Sequence, residues 1–172
     1  MMSKRDLKKY LTGLDKEQLE IQIIELYEKF APVKTYYDFV FNPKEEKLVQ
    51  ESKLKINNEY FPARGKRAKA RRSVAQKYIK HFILLGVDSF IIADLMLFTV
   101  ETGQKFSAKN KIRFDSFYKS MFNSFVQAID YMIENGILYE FKTRILAIKE
   151  ETVRQKWYNS HDFILSIERL ED

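Results

Sequence analysis

The feature that most constrains the fold of this chain is a run of apolar residues at helical spacing between positions 114 and 133. They recur at i, i+3, i+4 and i+7, which places them on one face of an α-helix. They are Phe114, Phe117, Tyr118, Met121, Phe122, Phe125, Ile129, Met132 and Ile133. A helix with so continuous an apolar face must pack against other elements.

The same spacing recurs along most of the chain, and little of the sequence is typical of strands. Capping-box pairs, in which each side chain binds the other residue's backbone, predict two helix starts near the N-terminus. They are Ser3 with Asp6 and Asp15 with Gln18. We therefore predict an all-α fold, an irregular bundle of about seven or eight mostly antiparallel helices.

A second apolar segment, Phe90 to Val100, has almost no polar face and predicts a helix buried in the middle of the bundle. It is far shorter than the roughly 20 residues of a membrane span. We expect Asp88 to cap this helix and Gly103 to end it. The centre of the fold should lie between this helix and the helix of Phe122. Four side chains are expected to be deeply buried: Phe98, Met121, Phe125 and Ile129.

Length and composition favour one domain covering residues 1–172. A chain of 172 residues with 45% apolar residues can bury a sizeable core without disulfides. Cysteine is absent, which excludes thiolate metal sites and cysteine nucleophiles. The N-terminus lacks the apolar run of a signal peptide, so a cytoplasmic location is the expectation.

Five segments, in this order, resemble a family of small bacterial proteins catalogued as a domain of unknown function. They are VKTYYDFVFNP, ARRSVAQKYIKHF, DLMLFTVETGQKF, FYKSMF and WYNSHDFIL. The resemblance spans most of the chain. It implies a soluble bacterial protein and assigns no activity, cofactor or catalytic residue.

Motifs for catalysis or metal binding are missing from the sequence. There is no P-loop, no dinucleotide-binding glycine motif and no serine-hydrolase elbow. The histidines, His81 and His161, lack the paired spacing of a metal site, and we interpret them as a packing residue and a helix-start residue. We expect no cofactor and no metal, and the protein is more consistent with a binding role than with an enzyme.

Asp94 is the most unusual acid, because it interrupts an apolar helix where an unpaired carboxylate is costly. Glu101 follows two helical turns later, so both carboxylates should lie on about the same face. They could form an acid/base pair in a cleft. The alternative, which we favour, gives Asp94 a structural partner, an Arg or Lys from the basic segment, and leaves Glu101 near the surface.

The charge distribution is the most informative feature for function. Tyr60 to Val87 contains eight Lys and Arg and no acid, so the net charge of +6 is concentrated there. Ser73 with Gln76 resembles a capping box, which leaves a basic arm at about residues 62–72 before the helix. Its cations are Arg64, Lys66, Arg67, Lys69, Arg71 and Arg72.

An anion should meet these cations, because positive charge at a helix N-terminus opposes the helix dipole. Nucleic acid, an acidic protein, a membrane surface and the protein's own carboxylates are all possible partners. Membrane is the weakest, since the arm lacks Trp, Phe or Leu to insert. Two functions remain: a non-catalytic module that binds a polyanion, most plausibly nucleic acid, without sequence specificity, and a helical protein-interaction scaffold.

Overall fold

The structure, a computed structural model, describes residues 2–63 and 66–168, and within them it contains helices and no strands. The all-α prediction is confirmed, with nine helices in this part of the chain. They are α1 (Lys4–Leu11), α2 (Lys16–Lys29), α3 (Ala31–Phe41), α4 (Glu45–Tyr60), α5 (Arg72–Leu85), α6 (Ser89–Lys109), α7 (Asp115–Glu134), α8 (Leu138–Arg154) and α9 (Ser160–Glu168).

Contacts divide the chain after Lys44 into two compact units. The first unit holds α1 to α3, of which α2 packs on α3. There the Tyr27 and Tyr37 rings meet edge to face at 6.4 Å, and the Tyr27 hydroxyl donates to Asp38 at 3.2 Å. The expectation of one domain over residues 1–172 stays a prediction.

The second unit is built around α6, which packs against α4, α5, α7 and α8. Most side chains of α6 between Ile92 and Gln104 are buried, as the nearly continuous apolar sequence of this helix predicts. The centre of this unit lies between α6 and α7, as expected. Met121, Phe125 and Ile129 are buried there, but Phe98 is only half-buried. The ammonium of Lys53 on α4 lies 5.3 Å from the centre of the Phe98 ring, at the edge of the core.

Several helix ends follow from local sequence. Both predicted capping boxes form, and the Asp88 carboxylate accepts a hydrogen bond from the Phe90 N–H at 2.9 Å. Gly86 ends α5 at a positive φ of 71°, a conformation that costs glycine little. These signals work because each involves residues only a few positions apart.

The segment from Ala31 to Phe41 is a helix that was not among the predicted ones. A proline often ends a helix, and Pro32 closely follows the end of α2. It instead lies in the first turn of α3, where its missing N–H costs no hydrogen bond and its fixed φ suits a helix. This difference accounts for the ninth helix.

Gly103 does not end α6, contrary to expectation, because the helix continues to Lys109. It is buried where α6 meets α7, and a Cβ at this position would overlap the thioether of Met121. The glycine therefore permits a close approach of two helices. Helix α4 has a largely polar sequence, but Ser52, Ile56 and Tyr60 form a buried face.

Candidate nucleic-acid interface

The basic arm, residues 62–72, connects α4 to α5 and is fixed to the end of α4. The backbone N–H groups of Lys69 and Ala70 both donate to the Glu59 carbonyl oxygen, at 3.0 and 2.9 Å. Ala70 has a positive φ of 47°, which is rare for a residue with a side chain. Arg64, one of the predicted anion-binding cations, lies outside the described residues.

Arg71 was predicted to bind an anion, and in the structure it is already paired with a carboxylate of the same chain. Its Nε and Nη2 donate to the two carboxylate oxygens of Glu59, at 2.8 and 2.9 Å. The hydrogen bond from Arg71 holds the pKa of Glu59 below its usual value. The fourth partner considered for the arm, a carboxylate of the same molecule, is thus the one that Arg71 has.

Arg72 is also bound within the protein. Its Nε donates to the Ser124 hydroxyl at 2.7 Å and its Nη2 to the Gln127 side chain at 2.6 Å, both on α7. Partial burial lowers the pKa of this guanidinium. Helix α5 begins at Arg72, and no side chain caps it, so the expected cap at Ser73 is wrong. Instead of a capping side chain, the contact of Arg72 with α7 holds the start of α5 in position.

Two exposed cations of the arm, Arg67 and Lys69, line a groove that we call the basic groove, with a volume of about 870 Å³. It runs between the arm and the connection from α6 to α7. Its lining consists of residues 67–70, residues 110–114, Phe106, Ser116, Phe117 and Ser120. Lys66 is exposed and lines an adjoining groove, together with Arg67 and Lys69.

Four exposed cations line the basic groove, two from each side: Arg67, Lys69, Lys111 and Arg113. Among the described residues of its lining there is no carboxylate. The nearest acids in the sequence are Glu59, bound to Arg71, and the exposed Asp115 at the start of α7. The groove therefore presents positive charge that no lining residue neutralises.

Sequence reasoning missed the cations of the α6–α7 connection. Between Glu101 and Asp115 there are four basic residues, Lys105, Lys109, Lys111 and Arg113, and no acid. This is the same signal that identified the basic arm, in a shorter segment. A running count of charge along the sequence would have found it, although not its proximity to the arm.

Aromatic rings accompany these charges. Phe106 and Phe117 form part of the groove lining, with ring centroids 6.2 Å apart, and both are half-buried. Phe106 also contacts Tyr60 and Phe61, at 5.7 and 6.0 Å. Phe114 is different, since it lines the groove with 74% of its surface exposed.

The Asp94 and Glu101 carboxylates form a separate ion cluster within the second unit. Lys53 contacts Asp94 Oδ2 at 2.5 Å, and Arg144 Nη1 contacts Asp94 Oδ1 at 2.6 Å. The same guanidinium donates to both Glu101 oxygens, at 2.6 and 2.9 Å. Both carboxylates do share a face of α6, as predicted. The expected partner from the basic segment is wrong, because Lys53 and Arg144 belong to α4 and α8.

This ion cluster has the character of a structural contact between helices. Partial burial raises the pKa of Asp94, but hydrogen bonds from Lys53 and Arg144 outweigh it and hold the pKa below its usual value. A carboxylate so strongly paired is a poor proton acceptor near neutral pH. The arrangement therefore favours the structural interpretation over an acid/base pair.

Metal binding finds no support in the part of the chain that the structure describes. No group of three or more His, Asp or Glu side chains there could hold an ion. His161 is exposed at the start of α9, and His81 is half-buried on α5. Within the same residues, no helix is both long and apolar enough to cross a membrane.

Comparison with known proteins places the chain in a family. Residues 2–171 match a family of unknown function (DUF6155), so nearly the whole chain belongs to that family. No curated protein and no solved structure matches the sequence. The inference of function therefore depends on the groove itself.

Proposed function

We propose that the second unit is a non-catalytic module that binds nucleic acid in the basic groove, without reading base sequence. One observation carries the proposal: two basic segments, distant in the sequence and each free of acids, line the same groove. Four exposed cations lie on its two sides, where they could contact successive phosphates. Such contacts position a nucleic acid but carry no sequence information.

The groove favours a long anion over a small one. Its volume of about 870 Å³ is spread along an open surface, and its cations come from both walls. The sequence lacks the P-loop motif, in which backbone N–H groups surround a single phosphate group. A phosphate backbone, with regularly repeated charge, matches this distribution better.

The salt dependence of binding tests the proposal. If all four cations contact phosphates of a single strand, log K should fall with log salt with a slope of about −3. Affinity should then drop roughly fiftyfold between about 50 and 200 mM salt. Labelled oligonucleotides of random sequence, titrated by fluorescence anisotropy at several salt concentrations, give this slope directly.

A matched pair of variants separates the groove from net charge. In the first, Arg67, Lys69, Lys111 and Arg113 are changed to Gln. In the second, four exposed lysines outside the groove are changed to Gln: Lys4, Lys8, Lys77 and Lys80. Only the first should lose most of its affinity and its salt slope. Equal losses in both variants, or no binding by the wild type at low salt, would contradict the proposal.

The second candidate function, a protein-interaction scaffold, is favoured by the apolar surface of the first unit. Ile21, Ile24 and Phe41 on α2 and α3 are 52%, 57% and 75% exposed. Exposed apolar clusters often mark protein interfaces. Sedimentation over a range of protein concentrations tests whether this surface binds a second copy of the chain. A self-association that is lost on Ile24→Ser and Phe41→Ser would support this function.

A further inference from the structure

We infer that the basic groove selects single-stranded nucleic acid, and that Phe114 supplies a surface on which an unpaired base stacks. The inference rests on the proposed function and specifies its ligand. Proteins that bind single strands without sequence preference combine a basic groove with aromatic side chains. This groove combines both kinds of residue.

Phe114 is placed to meet a base rather than to fill the core. It is 74% exposed, and the residue before it, Arg113, is one of the exposed groove cations. Lys111 lies three residues before it, on the same connection. A phosphate bound by either cation would bring the attached nucleotide close to the ring.

The backbone of Phe114 is held in position. It is the N-cap residue of α7, and its carbonyl oxygen accepts a hydrogen bond from the Phe117 N–H at 3.1 Å. The side chain therefore projects from the start of a twenty-residue helix, not from the middle of a loose connection. A ring on a fixed backbone loses less conformational entropy when a base stacks on it than a ring on a loose connection would.

The other two groove rings form a fixed apolar wall beside the cations. Phe106 packs against Tyr60, which is 2% exposed, and against Phe61 and Phe117. This cluster leaves the half-buried Phe106 and Phe117 as part of the groove lining. Bases that have left a duplex can cover such a wall, whereas paired bases cannot reach it.

A duplex would use only part of this surface. Its bases already stack on one another, so it would offer phosphates to the cations and leave the rings uncovered. A single strand would satisfy both. The charge alone therefore predicts binding of either form, and the aromatic rings predict the preference.

The experiment compares three probes of equal length by fluorescence anisotropy: single-stranded oligothymidylate, an abasic strand with the same phosphates, and a duplex. The wild type should bind oligothymidylate about tenfold more tightly than the abasic strand. Phe114→Ala should remove most of that factor for oligothymidylate and leave abasic binding and the salt slope unchanged. Tyr139→Ala is the matched control, because Tyr139 is 85% exposed and lies outside the groove.

The possible failures are distinguishable. The stacking inference would be overturned if the abasic strand or the duplex bound as tightly as oligothymidylate. The proposed function would still stand if the salt slope were as expected and the groove variant lost its affinity. A Phe114→Ala variant that binds oligothymidylate normally would also overturn the inference. Tighter binding of polyglutamate than of any oligonucleotide would overturn both in favour of an acidic protein partner, and no binding of any probe would overturn both outright.

Discussion

Arg71 and Glu59 form an ion pair through two parallel hydrogen bonds, with Nε 2.8 Å from Oε2 and Nη2 2.9 Å from Oε1. This geometry uses the fork of the guanidinium against both carboxylate oxygens, the arrangement that gives arginine pairs their specificity. A cation held in this way is no longer available to a phosphate. The described cations of the basic arm therefore divide into two groups: Arg71 and Arg72 fix the arm, and Lys66, Arg67 and Lys69 remain exposed.

That division predicts different effects for two charge-neutralising substitutions. Arg71→Gln should lower the free energy of unfolding only slightly, since the arginine side chain is 52% exposed. It should leave the salt slope of nucleic-acid binding unchanged. Lys111→Gln should leave stability unchanged and reduce the slope by about 0.7. Urea denaturation and salt-dependent titrations of both variants measure the four values, and a slope change in Arg71→Gln would show that the pair opens on binding.

The Asp94 cluster predicts a loss of stability in acid. Because the pKa of Asp94 is lowered in the folded protein, its ion pairs contribute fully above the pKa of the unfolded chain, about 3.9. The contribution disappears as pH falls through the lower pKa of the folded state. The free energy of unfolding should therefore decrease between about pH 5 and pH 2, as followed by urea denaturation monitored by circular dichroism.

The variant Asp94→Asn should show a shallower decrease with pH. At pH 7 it should already be less stable, by an amount between the roughly 0.5 kcal/mol of exposed pairs and the roughly 3 kcal/mol of buried ones. Asp130→Asn, at an exposed position on α7, is the control and should keep the wild-type profile. If Asp94→Asn were as stable as the wild type at pH 7, the cluster would not be structural.

The close approach at Gly103 predicts that even alanine is poorly tolerated there. A Cβ would overlap the thioether of Met121, which is 1% exposed and has little room to move. Overpacking of this kind costs about 1 to 3 kcal/mol, while alanine gains about 1 kcal/mol of helix propensity over glycine. A net loss near 1 kcal/mol is expected for Gly103→Ala. Combining it with Met121→Ala in a double-mutant cycle should reveal coupling above about 0.5 kcal/mol, and strict additivity would rule out the overlap.

Two phenylalanines on α7 offer a comparison of burial at a shared contact. Phe125 is fully buried and Phe122 half-buried, and both rings meet Phe163, at 4.9 and 5.2 Å. Phe125→Ala should cost about 3 to 5 kcal/mol of stability, because it leaves a cavity. Phe122→Ala should cost clearly less, since water can fill the space. Chemical denaturation of both variants measures the difference, and equal losses would place the centre of the core elsewhere.

The helix ends that could be predicted from the sequence depend on residues close to one another along the chain. Ser3 and Asp6 identify a helix start, and Gly86 a helix end, through contacts within one turn. Gly103 is a glycine like Gly86, but it permits the close approach of Met121 on another helix instead of ending its own helix. Local sequence cannot distinguish a glycine that ends a helix from one that admits a neighbour.

The candidate site shows the same limit. The sequence identified the basic arm from its charge, and three of its described cations, Lys66, Arg67 and Lys69, do face solvent. It did not identify the partner of Arg71, which depends on how the chain returns to the end of α4. Nor did it place the α6–α7 connection beside the arm, because only the packing of α6 in the second unit brings these segments together.

Glu59 secures both the backbone and a side chain of the segment that follows it. Its carbonyl oxygen receives the N–H groups of Lys69 and Ala70, and its carboxylate receives Arg71. The intervening residues thus begin and end at one point, so their length and composition can change at little cost in loop-closure entropy. Different charges in this loop are therefore compatible with the same α4 and α5, and other loops could be grafted onto the same anchor at Glu59.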